Sequence, residues 1–340
     1  MPLTRFTPDR QESPVRRPVS RPQHSPASPS ASPHPPLSWE RDGHDWPNRQ
    51  ASHFVEAAGL RWHVQEMGRG PVLLLIHGTG SATHSWRDLM PLLARHFTVV
   101  APDLPGHGFT EMPARERLSL DGMAEDLHAL LQALGRFPAV VAGHSAGAAV
   151  LARMCLDGRI GPRALVGLNG AMLPIGGMAG RLLTPFARLL AASAMVPRLF
   201  ARFAANDGFV ERMIRDTGST LDPAGIAFYR RLTCHPAHVA AAVRMMANWR
   251  LPPLARELPH LRTRLVLVTG GNDKTIAPND AARVRVLLPD ATLVPLPGLG
   301  HLAHEERPDE VAALMVQVGR EAGVLPALHL VEQEVAVAAE

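Results

Sequence analysis

The chain has few of the residues that build disulfide, metal or nucleotide sites. Only two of its 340 residues are cysteines, Cys155 and Cys234, and both stand in apolar or helical stretches. They form neither a disulfide framework nor a metal-ligand spacing, and the histidines are scattered along the chain. No Gly-rich loop opens a nucleotide-binding unit. We therefore expect no metal and no cofactor, and a reducing cytoplasm as the location.

Lysine is almost absent, and this affects how the positive charge is interpreted. Lys274 is the only lysine among 35 basic residues, and the arginines are interspersed with Asp and Glu to leave a formal net charge of +4. Nucleic-acid sites need a dense basic block with interleaved aromatic residues, and aromatic residues make up only 5% of this chain. We expect no nucleic-acid partner.

Long apolar runs are also missing. No segment reaches the roughly 18 uninterrupted apolar residues that a membrane span needs, and no apolar stretch follows Arg16-Arg17. We therefore expect neither secretion nor twin-arginine export. The basic amphipathic run 181–190 could lie on a membrane surface, which would make a peripheral membrane contact. Alternatively, its apolar face lines a pocket while the arginines stay in water.

Composition divides the chain into four regions. Residues 1–45 contain ten prolines within the first 36 positions and few large apolar residues, which predicts a disordered tail. Residues 52–170 and 261–322 read as the core of the fold. Residues 171–260 have no strand pattern, are divided by prolines into short helices and are predicted to form a helical cap over the site. Residues 323–340 form a C-terminal tail.

The core alternates strand and helix patterns, which favours an α/β fold with a mostly parallel sheet covered on both faces. A helix with an i, i+3, i+4, i+7 apolar stripe runs from Leu120 to Leu134 and is opened by Ser119, and another starts at Pro308. The predicted strands are residues 53–57, 61–65, 72–76, 97–101, 139–142, 164–168, 265–268 and 292–296.

The most informative motif is Gly143-His144-Ser145-Ala146-Gly147, a G-x-S-x-G pentapeptide. It stands between an apolar strand and an Ala-rich helix, the context that a nucleophile elbow requires. We attribute the flanking glycines to a turn too tight for side chains beside the serine and against the helix. Ser145 is the predicted nucleophile.

A base and an acid follow in the expected order, Ser…Asp…His. Asp273 lies in a loop after the seventh strand, and His301 lies in a Gly-rich loop after the eighth. In these roles His301 takes the Ser145 proton, and Asp273 holds the imidazole in the right tautomer. His304 is the alternative base, but it falls near the start of the next segment.

Two other positions are alternatives for the acid. Some enzymes of this architecture carry it after the sixth strand, but that position is occupied by Asn169-Gly170. Asp103 also follows a strand, yet its turn-rich surroundings favour a structural role in a loop. Asp273 therefore remains the predicted acid.

Acyl transfer also needs donors for an oxyanion, and these are expected after the third strand and after the nucleophile. The backbone N–H groups of Ala146 and Thr79 are the predicted pair, with Gly80 as the alternative to Thr79. We interpret His77 as a structural histidine that braces this loop.

Together these motifs resemble the alpha/beta-hydrolase family over roughly residues 52 to 322. Further segments resemble one of its subfamilies, the magnesium-chelatase accessory proteins of bacteriochlorophyll biosynthesis. These segments are residues 46–49, 59–65, 77–87, 143–149, 165–171 and 300–306. The resemblance implies a role near magnesium insertion into protoporphyrin IX, with magnesium-chelatase subunits as candidate partners.

Three functions are compatible with these features. The first is a serine hydrolase acting on an apolar small molecule, with a tetrapyrrole as the candidate. The second is an accessory protein that binds chelatase or porphyrin and makes little use of the triad, and the third is a generic carboxylesterase. A serine nucleophile weighs against epoxide hydrolases and haloalkane dehalogenases, which resemble this architecture but use an aspartate there.

Overall fold

A single mixed sheet organises the chain. The computed structural model describes residues 37–174, 193 and 195–327, and within them eight strands pair in the order β1-β2-β4-β3-β5-β6-β7-β8. The strands β1 and β2 are antiparallel to their neighbours, whereas β4, β3, β5, β6, β7 and β8 run parallel. The strands are β1 Ser52–Ala57, β2 Leu60–Met67, β3 Val72–Ile76, β4 Thr98–Pro102, β5 Val140–His144, β6 Ala164–Leu168, β7 Arg264–Gly270 and β8 Thr292–Leu296.

Helices cover the sheet and follow most of its strands. Short 3₁₀ turns at Arg49–Ala51, Thr83–Trp86, Arg115–Arg117 and Leu258–His260 complete the connections. The α-helices of the described residues are α1 Trp39–Asp42, α2 Leu89–Leu93, α3 Leu120–Leu134, α4 Ala146–Leu156, α5 Met195–Ala204, α6 Phe209–Asp216, α7 Pro223–Thr233, α8 Pro236–Asn248, α9 Leu251–Glu257, α10 Asn279–Leu287, α11 Ala303–Glu306 and α12 Pro308–Glu321.

Both faces of the sheet are buried, because successive side chains of a strand point to opposite sides. In β3, Leu74 and Ile76 join the core under α3 and α4. Leu73 and Leu75 join the opposite core, which α2 and α12 cover. This arrangement confirms the predicted α/β-hydrolase fold with helices on both faces.

The two helices predicted with start signals begin where expected. The Ser119 hydroxyl accepts a hydrogen bond from the Gly122 N–H (3.3 Å) at the start of α3, and Gly135 ends that helix in the left-handed conformation. Pro308 opens α12. A proline is suited to the first turn because the N–H group that it lacks would have no partner within the helix there.

The folded part of the chain begins earlier than predicted. The disordered tail was expected to reach residue 45, but Trp39–Asp42 forms α1, and the Trp39 ring meets Phe54 and Phe109 edge to face. Arg231 of α7 forms an ion pair with Asp45 (2.6 Å). Ring contacts and an ion pair from distant parts of the chain order this stretch. The rest of the predicted tail, 1–36, lies outside the described residues.

Residues 195–257 form the succession of short helices α5 to α9. Their interpretation as a cap, with boundaries at 171 and 260, stays a prediction. The amphipathic run 181–190 lies outside the described residues, as does most of the predicted C-terminal tail. Among the helices that the structure describes, none combines the length and apolar character needed to cross a membrane.

The topology gathers the predicted site at one edge of the sheet. The carboxyl ends of parallel strands meet at the same edge, where ligands bind in open α/β sheets. Four of the predicted residues lie just beyond such an end: Thr79 after β3, Ser145 after β5, Asp273 after β7 and His301 after β8.

Candidate active site

Ser145 occupies a strained turn between β5 and α4. Its backbone has φ 50° and ψ −116°, a conformation that residues other than glycine rarely adopt. Three hydrogen bonds hold it there. The Ser145 N–H donates to the Leu168 carbonyl (3.0 Å), and the Ser145 carbonyl accepts from the N–H groups of Ala148 (3.2 Å) and Ala171 (3.0 Å). The turn leaves Ser145 partly exposed between buried neighbours.

The glycines around Ser145 are required by close backbone approach, as predicted. A Cβ atom on Gly143 would collide with the Ala148 nitrogen and the Gly147 carbonyl carbon. A Cβ atom on Gly147 would collide with the Ile76 carbonyl oxygen at the end of β3. The first glycine therefore permits the sharp turn, and the second lets α4 pack against the neighbouring strand.

Asp273 and His301 form a buried hydrogen-bonded pair. Asp273 Oδ2 lies 2.8 Å from His301 Nδ1. The other carboxylate oxygen, Oδ1, accepts from the N–H groups of Thr275 (2.8 Å) and Ile276 (2.9 Å). Because an aspartate oxygen accepts here, Nδ1 carries the imidazole proton and Nε2 is left with its lone pair. The imidazole is thus held in the tautomer that a general base needs.

Asn169 is a site residue that sequence reasoning dismissed. The position after β6 was considered only as a place for an acid, and asparagine did not qualify. The Asn169 side-chain amide donates to Asp273 Oδ2 (2.7 Å) and to the Gly300 carbonyl (3.3 Å). It therefore joins the Asp273 loop to the His301 loop. A polar residue at the end of a parallel strand was the available signal.

His304 does not take the place of His301. Burial lowers the pKa of His304 to about 3, and neither ring nitrogen makes a hydrogen bond within the described residues. Its ring lies 4.5 Å from His144 and 4.7 Å from Trp86. His144 Nε2 in turn donates to the His301 carbonyl (2.9 Å). Both histidines pack behind His301 as neutral rings.

Ala146 and the loop that carries Thr79 both adjoin Ser145, and their roles as oxyanion donors stay a prediction. Ala146 is the first residue of α4, so its N–H has no partner within the helix. Thr79 belongs to the loop after β3, which approaches the nucleophile closely. A Cβ atom on Gly78 would lie 3.0 Å from Ser145 Cβ and 2.9 Å from His144 Nδ1. The loop can come this close only because residue 78 is glycine.

His77 braces the oxyanion loop, as expected. Its Nδ1 donates to the Gly78 carbonyl (2.8 Å), and its Nε2 accepts from the Leu104 N–H (2.9 Å). Burial lowers its pKa, so the ring stays neutral and can serve as donor and acceptor at once. His77 thereby joins the loop after β3 to the loop after β4.

A Ser–His–Asp arrangement separate from the predicted triad lies at the antiparallel edge of the sheet. Asp103 Oδ2 lies 2.7 Å from His63 Nδ1, and His63 Nε2 lies 3.0 Å from the Ser52 hydroxyl. Asp103 also accepts from the N–H groups of Thr83 (2.7 Å) and Phe109 (2.9 Å). Burial raises the pKa of Asp103, but His63 and these hydrogen bonds outweigh it and hold the pKa well below its usual range.

This second arrangement is part of the core. The His63 ring is fully buried, with Trp39, Phe54 and Phe109 within 4.8 to 5.5 Å of its centre. These rings enclose the imidazole beside Ser52. The Asp103 contacts agree with the structural role predicted for that residue.

The variant Asp103→Asn tests that role. We expect it to lower the free energy of unfolding at pH 7 by about 3 kcal/mol, because the buried charge is lost and the new amide N–H group faces buried N–H donors in either orientation. The folded-state pKa of Asp103 is depressed, so its stabilisation is present above the unfolded pKa near 4. That stabilisation is lost as the pH falls through the folded value. Urea unfolding at neutral pH and at about pH 3 measures both differences, and equal differences would contradict this account.

Comparison with known proteins agrees with the fold. Residues 73–314 match the model of the alpha/beta hydrolase family. The chain is 39% identical over 274 residues to the magnesium-chelatase 30 kDa subunit of Rhodobacter capsulatus, covering 80% of this chain and 95% of that protein. It is 27% identical to haloalkane dehalogenase 2 of Mycobacterium tuberculosis, covering 78% and 94% of the two chains.

A solved structure shows the same architecture. A putative lipase from Acinetobacter baumannii superposes with a TM-score of 0.68 at 19% identity, covering 80% of this chain and 91% of that one. At this identity the likeness concerns the fold alone. The sheet order, the serine turn after β5 and the match over residues 73–314 agree. The chain belongs to the alpha/beta hydrolase family.

Proposed function

We propose that this chain is a serine-hydrolase-type accessory protein of bacteriochlorophyll biosynthesis that acts near magnesium insertion into protoporphyrin IX. The observation that carries the chemical part is the buried Asp273–His301 pair at the sheet edge where strained Ser145 lies. The pathway part is supported by 39% identity to a protein named as a magnesium-chelatase subunit, along 95% of its length.

The proposed chemistry is acyl transfer. Ser145 Oγ attacks the acyl carbon while His301 Nε2 takes its proton, and Asp273 keeps the imidazole oriented and stabilises its cation. The N–H groups of Thr79 and Ala146 bind the oxyanion of the tetrahedral intermediate. His301 then returns the proton to the leaving group. Water releases the acyl group by the same steps, which restores the Ser145 hydroxyl.

The residues near the oxyanion loop support an apolar substrate. Helix α8 places the Met245 sulfur 3.4 Å from the Thr79 hydroxyl, and a Cβ on Gly80 would lie 3.9 Å from Ala242 Cβ. Apolar side chains thus face the loop that would receive the acyl oxygen. We propose a flat apolar molecule such as a tetrapyrrole ester as the substrate class.

A second candidate function follows from the name of the Rhodobacter capsulatus relative. A chelatase subunit can act by binding its partner subunits, in which case the triad would be retained but unused. This alternative predicts the same pathway role with no need for Ser145. A carboxylesterase unrelated to pigments would instead have no effect on pigment.

The pathway part is tested by complementation. The chain is expressed in a Rhodobacter capsulatus strain that lacks its magnesium-chelatase 30 kDa subunit, and bacteriochlorophyll and free protoporphyrin IX are measured. We expect pigment to recover toward the level restored by the native subunit, and protoporphyrin IX to fall. Expression without recovery, alongside recovery with the native subunit, would contradict the pathway role.

A further inference from the structure

Three consecutive residues of the oxyanion loop are held by helices of the predicted cap. The Thr79 hydroxyl donates to Met245 Sδ of α8 at 3.4 Å. The Gly80 carbonyl lies 3.1 Å from His238 Nε2, also of α8. The Ser81 hydroxyl lies 3.3 Å from the Tyr229 hydroxyl of α7. Each of these three residues of the loop that carries the proposed Thr79 donor therefore contacts α7 or α8.

His238 is built to hold two loops at once. Its Nε2 faces a carbonyl oxygen and therefore carries the proton, while its Nδ1 accepts from the Gly108 N–H at 3.2 Å. Burial lowers the pKa of His238 to about 4. The ring is neutral near pH 7, and one tautomer satisfies both contacts. His238 thus joins α8 to the loops after β3 and after β4.

Tyr229 links the same loop to the segment that follows His301. Its hydroxyl donates to Glu305 Oε1 at 2.6 Å, and it is free to accept from Ser81. Burial raises the pKa of Glu305 to about 8. Tyr229 is the only tyrosine of the chain. A single hydroxyl on α7 therefore contacts the neighbourhoods of both Thr79 and His301.

The loop needs such support because of its composition. Gly78 and Gly80 flank Thr79, and Gly80 has φ +77°, so the backbone has unusual freedom at these positions. An oxyanion donor works only within about 2.7 to 3.1 Å of the developing charge. A misplacement of about 1 Å can cost on the order of 100-fold in rate.

We propose that Tyr229 and His238 are positioning residues for the oxyanion hole, which is complete only when α7 and α8 are seated on the loop. This inference rests on the proposed hydrolase chemistry. It assigns the cap a part in catalysis beyond covering the substrate. A substrate that displaces α7 or α8 on entry would find the Thr79 donor misplaced until the helices return.

The experiment measures the rate at which a fluorophosphonate modifies Ser145 in the full-length chain. In this reaction the Ser145 oxygen bonds to phosphorus, fluoride leaves, and the serine proton passes through His301 to solvent. We expect Tyr229→Phe to slow modification roughly 10-fold and His238→Met by roughly 10- to 100-fold. His238→Gln keeps an N–H for the Gly80 carbonyl and should stay within about 3-fold of wild type.

A second readout separates positioning from loss of folding. For hydrolysis of p-nitrophenyl butyrate, kcat should fall in Tyr229→Phe and His238→Met while KM stays nearly constant. The matched control is Ser119→Ala. It removes the hydroxyl that caps α3 through the Gly122 N–H, and α3 carries none of the contacts to the oxyanion loop. Its thermal midpoint should fall, but its modification rate should not.

The outcomes distinguish this inference from the proposed function. If wild type is not modified at Ser145, the hydrolase proposal fails and this inference fails with it. If wild type is modified and Tyr229→Phe and His238→Met are modified equally fast, only this inference is overturned. It is also overturned if Ser119→Ala slows modification as much as Tyr229→Phe, because a general loss of stability would then explain the effect.

Discussion

Ser145→Ala is expected to abolish covalent modification by fluorophosphonates and to reduce ester hydrolysis by roughly 10⁴- to 10⁶-fold. In the proposed mechanism the serine supplies the only nucleophilic oxygen that His301 activates. Without it, only the oxyanion donors and substrate binding still contribute to the rate. The turn should survive, because the residue's contacts there are made by its backbone N–H and carbonyl. Intact-protein mass and initial rates measure the two effects.

The second Ser–His–Asp arrangement provides the matched control. Ser52 is hydrogen-bonded to His63 much as a triad serine would be, but aromatic rings surround that imidazole. Ser52→Ala should leave both the modification and the hydrolysis near wild-type levels. If modification persists in Ser145→Ala and disappears in Ser52→Ala, the nucleophile is Ser52 and the proposed role of Ser145 is wrong.

Asp273→Asn is the second large effect, with an expected loss of about 10⁴-fold in kcat. If the new amide group replaces Oδ2, it faces two donors, Asn169 Nδ2 and His301 Nδ1. If it replaces Oδ1, it faces the backbone N–H groups of Thr275 and Ile276. In either orientation, the amide N–H groups of the new asparagine face other N–H donors. The first also drives the His301 proton to Nε2, where it blocks general-base action.

Asp280→Asn is the control for this exchange. Asp280 lies in α10 of the same connection and forms an exposed ion pair with Arg283 (2.7 Å). Its neutralisation should leave kcat unchanged. Steady-state kinetics at neutral pH compare the two variants. Equal kcat for Asp273→Asn and wild type would remove Asp273 from the proposed machinery.

The fold was predictable because its strongest signals are local. Each parallel strand is a short apolar run, and each run appears in the sheet at its predicted place. The order of Ser145, Asp273 and His301 along the chain, each after a strand, also placed them at one edge. Strand patterns and turn glycines carry this information within windows of about ten residues.

The missed features depend on contacts between distant parts of the chain. Helix α1 is ordered by rings from β1 and from the loop after β4 and, nearby, by Arg231 of α7. Asn169 becomes a site residue only when Asp273, about a hundred positions later, folds against it. Pairwise contacts of this kind leave no periodicity in the sequence. The composition of the first 45 residues therefore predicted disorder that extended over α1, and Asn169 was judged only as a possible acid.

The attachment of the oxyanion loop to α7 and α8 was hidden for the same reason. The segment 171–260 was predicted to be helical from its prolines and its lack of strand pattern. Within it, nothing in the sequence indicates the partners of His238 and Tyr229. Only the packing brings His238 to the Gly80 carbonyl and Tyr229 to Ser81.

The central claim is that the pathway role requires chemistry at Ser145, and complementation tests it most directly. Wild type, Ser145→Ala and Ser52→Ala are expressed at equal levels in the Rhodobacter capsulatus strain that lacks its magnesium-chelatase 30 kDa subunit. We predict that wild type and Ser52→Ala restore bacteriochlorophyll, whereas Ser145→Ala, although folded, does not. Full restoration by Ser145→Ala would contradict the account and show that the protein acts by binding.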